Sequence, residues 1–197
     1  MNISKRSVDI EYTESIRKVL KNELNKFVQY MESSIPNNYL YKPIYSRVKT
    51  IESMERKEIK RSKMAGKFIH WSEIYDQCGI SIIISPIFKT SLIVEKLKQL
   101  EKNSSGDFKI MEIENKSDIF GYRAFHIDIE YRSQIRITKV EIQIRSVYED
   151  IYNIISHEYY KENGIQNENN LKKRFHFQSF LLYTSELIQS TTKIKSE

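Results

Sequence analysis

Apolar residues recur at helical spacing early in the chain. Ile16, Val19, Leu20, Leu24, Phe27, Val28 and Met31 fall on one stripe and predict a helix over residues 10–33. Pro36-Asn37-Asn38 breaks that pattern. Residues 43–50 read as a short strand on which Arg47 and Lys49, two apart, share a face. A second helix begins near Glu52 and sets Ser53 and Lys57 one turn apart. The run Cys78-Gly79-Ile80-Ser81-Ile82-Ile83-Ile84-Ser85, ended by Pro86, is the candidate for a buried central strand.

Residues 89–102 are amphipathic through Leu92, Ile93, Leu97 and Leu100. A loop at 103–107 leads to a short alternating strand at 108–113 and a connector at 115–120. Residues 122–131 and 136–146 alternate as a hairpin around Arg132-Ser133-Gln134. Residues 147–162 form a helix that Asn163-Gly164 stops. A polar linker and a last helix over about 171–190 complete the chain. This order predicts an α/β (α+β) sheet domain with helices packed on it. Residues 1–43 are helical cover, 44–162 the core and 163–197 a terminal helix, within one structural domain.

Composition narrows the class. With 40% hydrophobic and 29% charged residues among 197, the chain is globular. No apolar run approaches the roughly 20 residues of a membrane span, and Met1-Asn2-Ile3-Ser4-Lys5-Arg6 does not lead into a signal sequence. The single cysteine, Cys78, excludes an internal disulfide and fits a reducing, cytoplasmic setting. Its role is that of a small core residue. A net charge of +6 suggests an anionic partner. The 5 glycines form no phosphate-cradling loop, so phosphates would be held by side-chain cations.

The candidate chemistry centres on Val140-Glu141-Ile142-Gln143-Ile144-Arg145. Period-two alternation puts Glu141, Gln143 and Arg145 on one strand face. Such a face is often just solvated. Its neighbours sharpen it: Gly121-Tyr122-Arg123-Ala124-Phe125-His126 upstream, and Ser156-His157 and Tyr160-Lys161 downstream. A polar strand face among Tyr, His, Arg and Lys suits an anionic, base-bearing ligand. Arg47, Lys49, Ser53 and Lys57 converge where strand meets helix, or else form a basic, solvated turn. The basic stretch 56–67 reads as a mobile loop over phosphates or as a soluble helix. Asp76, at the entrance of the central strand, is a cap or a metal ligand.

These segments together resemble the synthetase domain of the RelA/SpoT family, which makes (p)ppGpp. The resemblance rests on Arg47-Val48-Lys49 with Ser53 and Lys57, on Asp76-Gln77-Cys78-Gly79, on Gly121-Tyr122 with His126, on Val140 through Ser146, and on His157 with Tyr160-Lys161. It covers roughly residues 44–162. It implies a nucleotidyltransferase-like mixed sheet of about five strands flanked by helices. It implies transfer of the β,γ-diphosphate of ATP to the ribose 3′-hydroxyl of GDP or GTP, releasing AMP. Asp76 and Glu141 would hold Mg²⁺, and Glu141 would assist deprotonation of the hydroxyl. Arg47, Lys49, Ser53 and Lys57 would bind ATP, while Tyr122, His126, Gln143 and Arg145 would serve the acceptor.

The resemblance also implies a small stand-alone synthetase, without hydrolase or regulatory domains and with a possible homo-oligomeric state. The sequence departs from the family pattern at four places. Ser81 stands where the family has an arginine that packs on adenine, Ala124 replaces a serine, Asp118-Ile119-Phe120 precede Gly121 where a basic residue is usual, and Ser156 replaces the acidic residue before His157. The altered segment before Gly121 motivates a second reading, diphosphate transfer to the 3′ end of tRNA. Ser81 motivates a third, a catalytically silent nucleotide- or RNA-binding module.

Overall fold

The computed structural model describes residues 12–85, 90–117, 123–132 and 136–163, with a few helical positions between 176 and 188. Tyr122, and most of the helix expected over 171–190, lie outside the described residues.

Helix α1 spans Glu14–Ser34 and is capped by Thr13, whose side chain accepts from the Ile16 N–H. Its buried stripe is Leu20, Glu23, Leu24, Phe27, Val28 and Met31. Strand β1 (Tyr45–Val48) is followed at once by α2 (Ile51–Ala65). Thr50 caps α2, and Gly66 ends it in the left-handed conformation at φ 66. The basic stretch of 56–67 is therefore helix rather than loop through Ala65. Two short 3₁₀ turns, Trp71–Glu73 and Tyr75–Gln77, lead into β2 (Cys78–Ile84). Then follow α3 (Thr90–Asn103), β3 (Phe108–Ser117), β4 (Arg123–Arg132), β5 (Ile137–Ser146) and α4 (Val147–Asn163).

The five strands form one mixed sheet in the order β1-β2-β5-β4-β3. Only β2 and β5 pair in parallel; the other neighbours are antiparallel. Strand β3 runs four residues beyond the expected 108–113, across what sequence reads as a connector. A register shift between Ile110 and Glu112 breaks its alternation, which is why the period-two pattern fades there.

One sheet face is apolar. Cys78, Ile80, Ile82 and Ile84 of β2, Val140, Ile142 and Ile144 of β5, and Ile127 and Ile129 of β4 are buried with Leu20, Leu24, Phe27 and Met31 of α1 and Ile93 and Leu97 of α3. Each such side chain contributes about 1.5–3 kcal/mol on burial. Phe27 anchors α1, with ring centroids 4.8 Å from Tyr131 and 5.4 Å from Phe108. Cys78 is fully buried, and desolvation pushes its thiol up to about 12, as suits an inert core residue. No helix among the described residues is long and apolar enough to cross a membrane.

Candidate active site

The other face of the sheet is polar, and register fixes its layout. Arg47 pairs with Gly79, Gly79 with Glu141, Glu141 with Asp128, and Asp128 with Glu112, giving one row across all five strands. The next row runs Tyr45, Ser81, Gln143, His126 and Glu114. Directly opposed residues share a sheet face, so these groups face the same side.

Glu141 sits at the centre. Gln143 donates through Nε2 to Glu141 Oε1 at 2.7 Å, and His126 Nδ1 lies 3.1 Å from Glu141 Oε2. Burial pushes the Glu141 carboxyl up, but the contacts with His126 and Gln143 outweigh it and hold the group at about 2.

The second carboxylate, Asp76, lies in the turn before β2. It meets Lys49 from the end of β1 and Lys57 from α2: their ammonium groups approach Asp76 Oδ2 to 2.9 and 2.5 Å. Desolvation raises the Asp76 carboxyl, and the two lysines more than offset that and hold it below the usual carboxylate range. Asp76 Oδ1 is buried with no hydrogen-bond partner among the described residues. Asp76 is thus not a helix cap. Lys49 is itself fixed through its carbonyl, which accepts from Tyr12 Oη at 2.9 Å and Arg17 Nε at 2.8 Å. Helix α1 therefore positions the Lys49–Asp76 end of the site as well as covering the sheet. Ser53 lies half-buried on the first turn of α2, one turn from Lys57.

Arg145 is placed differently from the other polar-face residues. It is 7% exposed, and its guanidinium donates to Gln143 Oε1 at 3.0 Å and Ser81 Oγ at 2.8 Å and pairs with Asp150 at 3.2 Å. Asp150 is bridged in turn to Lys42 at 2.7 Å. Glu149 and Ser146 reciprocally cap α4, the Ser146 N–H donating to Glu149 Oε2 at 2.7 Å, and this sets Asp150 on the first turn beside Arg145. Arg145 therefore stands behind Gln143, which in turn stands behind Glu141.

Sequence reasoning did not single out Asp150 or Asp128. The signal for Asp128 was present in the alternation of His126, Asp128 and Glu130. Burial, then the charges of Glu141 and Glu112, push the Asp128 carboxyl up to about 6. Between the usual Asp value near 4 and about 6, the native state holds a proton that the unfolded chain has released. Stability from this group therefore falls as pH rises through that window. Asp128→Asn removes the penalty. Its melting temperature should exceed that of the unsubstituted protein by a few degrees at pH 7.5, at roughly 2–4 °C per kcal/mol for a chain of this size. The gap should close near pH 4. Calorimetry that found the variant less stable at pH 7.5 would reverse the assignment.

Residues 46–165 match the sequence model described as "Region found in RelA / SpoT proteins". The chain belongs to the RelA/SpoT family. Among curated relatives it is 31% identical over 127 residues to GTP pyrophosphokinase YwaC of Bacillus subtilis. That match takes in 60% of this chain and 58% of the relative, so it spans little more than half of that protein. Among solved RelA/SpoT-related structures, small alarmone synthetase 2 from Bacillus subtilis superposes with a TM-score of 0.74 at 23% identity, covering 91% of this chain and 95% of that one. Small alarmone synthetase 1 from the same organism, solved with its product pppGpp, gives 0.60 at 20% identity over 93% of this chain and 90% of that one. The five-stranded mixed sheet with its helices is thus the fold of this family's small synthetases.

Proposed function

We propose that this protein is an ATP-dependent diphosphotransferase that moves the β,γ-diphosphate of ATP to the ribose 3′-hydroxyl of GDP or GTP, giving ppGpp or pppGpp and AMP. The observation that carries this reading is a pair of ionised carboxylates, Glu141 on the polar sheet face and Asp76 in the turn before β2, with Lys49 and Lys57 gathered at Asp76. Family membership and the synthetase fold support it.

In this reading Lys49 and Lys57 neutralise the triphosphate, with Arg47 and Ser53 beside them on the ATP side. Once phosphate oxygens compete for Lys49 and Lys57, Asp76 is freed from its lysine pairs. The bare Oδ1 of Asp76 fits a hard cation that takes oxygen ligands. Glu141 keeps lone pairs on both oxygens despite its two contacts. Among the described residues no cluster of three or more His, Cys, Asp or Glu could hold a metal. On the protein side, Mg²⁺ would be held by Asp76 and Glu141. Bound there, the ion would offset charge on the transferred diphosphate and help align it with the hydroxyl.

The 3′-oxygen bonds to the β-phosphorus, the bond from that phosphorus to the α,β-bridging oxygen breaks, and AMP leaves. Glu141 stays ionised at physiological pH, but a carboxylate held at about 2 is a weak base. That favours orienting the hydroxyl and taking its proton late in the transfer. His126 and Gln143 fix the Glu141 carboxylate, Arg145 fixes Gln143, and Tyr122 would supply an aromatic face for the acceptor's base.

The test is product analysis with ATP labelled at the γ-phosphate, Mg²⁺, and GDP, GTP or tRNA supplied separately. Label in ppGpp or pppGpp, with AMP released in equal amount, is the expected result. Label in tRNA alone, or in no acceptor, would overturn the proposal.

A further inference from the structure

The donor side of this site has cations for phosphates, and a surface for the base emerges where β1 pairs with β2. Tyr45 lies directly opposite Ser81, and Arg47 opposite Gly79. Both β2 residues face the polar side, since they pair in turn with Gln143 and Glu141. Glycine and serine leave β2 low here, and the Ser81 hydroxyl is already taken by Arg145 Nη2 at 2.8 Å. The Arg47 side chain crosses close over this low stretch: a Cβ added at Gly79 would lie 3.3 Å from Arg47 Nε. In register, this low trough of β2 is flanked on β1 by Tyr45 and Arg47 and on β5 by Gln143 and Glu141.

Tyr45 is 61% exposed, whereas Tyr12 and Tyr152 are buried in the body of the protein. One exposed aromatic is ordinary; its position beside this trough is not. Residues two apart on a strand stand about 6.6 Å apart, which admits one planar ring in contact with both at about 3.5 Å on each side. Along β1 and its exit the same face carries Tyr45, then Arg47, then Lys49. That order, aromatic then cations, matches a nucleotide laid from base to phosphates.

We infer that Tyr45 is the stacking platform for the base of the donor nucleotide, holding it against the Arg47 side chain over the Gly79–Ser81 trough. This rests on ATP being the donor, and it gives that half of the proposed reaction its base-binding residue.

The test is calorimetric titration of the full-length protein with α,β-methylene ATP and Mg²⁺, and separately with inorganic tripolyphosphate, which has no base. Stacking of one base on an aromatic side chain is commonly about 1–3 kcal/mol. Tyr45→Ala should therefore weaken binding of the nucleotide by about tenfold or more and leave tripolyphosphate binding and the melting temperature unchanged. Tyr45→Phe should bind as the unsubstituted protein does. In turnover, Tyr45→Ala should raise the KM for ATP in the same proportion without changing kcat or the acceptor KM. Unchanged nucleotide binding in Tyr45→Ala, equal loss of both ligands, or no nucleotide binding by the unsubstituted protein would overturn the inference. Tyr45-dependent nucleotide binding in a protein that transfers no diphosphate to GDP or GTP would uphold the platform and refute the proposed reaction.

Discussion

Glu141→Gln should reduce diphosphate transfer by about 10²–10⁴-fold, with the sheet intact. The substitution keeps the side chain's length and a hydrogen-bonding partner for Gln143 but removes the charge at the centre of the polar face. Stopped or steady-state AMP release is the measurement, with circular dichroism as the control for folding. Retention of more than a tenth of the activity would mean that the carboxylate is not needed in the transition state. The same residue gives the fold an acid limit. Because its native value is depressed to about 2, its contribution to stability is complete above the usual Glu value near 4.3 and is lost as pH falls towards 2. Glu141→Gln should lack that part of the acid transition.

The second large effect is expected at Arg145, and it falls on stability. Its guanidinium is buried among Gln143, Ser81 and Asp150, tying β5 to β2 and to the start of α4. Breaking a buried pair by removing one partner commonly costs about 3–5 kcal/mol, because the other charge is left uncompensated. Lys42 still reaches Asp150, so the lower end of that range applies. Arg145→Met should lower the melting temperature by roughly 6–12 °C, at about 2–4 °C per kcal/mol. Asp150→Asn in the same background should return part of the loss, since the stranded charge is gone. Additive loss in the double variant would show that the two residues act independently.

The pattern of the chain made most of the architecture readable, for a physical reason. Alternation in 123–132 and 136–146 and the stripe of α1 each follow from one buried face, and the structure keeps those faces buried. Strand β3 escaped beyond Ile113 because its register shift turns the alternation out of phase. In the site, Glu141, Gln143 and His126 were legible because neighbours on a strand face are set by period two. Asp76 was legible as a carboxylate but not as the partner of two lysines, since that contact joins β1, α2 and the turn before β2. Arg145 read as an acceptor contact, and only the fold shows that α4 closes over it with Asp150. Tyr45 has no motif around it; its place emerges from the pairing of β1 with β2.

The parallel pairing of β2 with β5 also sets an order in time. Gly79 and Glu141 are neighbours in the sheet, yet α3, β3 and β4 are synthesised between them. Parallel partners need such a crossover, and closing long loops is slow to be rewarded during folding. On a translating ribosome the donor side, from Tyr45 to Ser81, emerges well before its central carboxylate. A nascent chain can therefore carry the lysines and Asp76 and still be inert. In the proposed reaction the site is complete only once β5 lies between β2 and β4, so that completing the sheet would also arm the site.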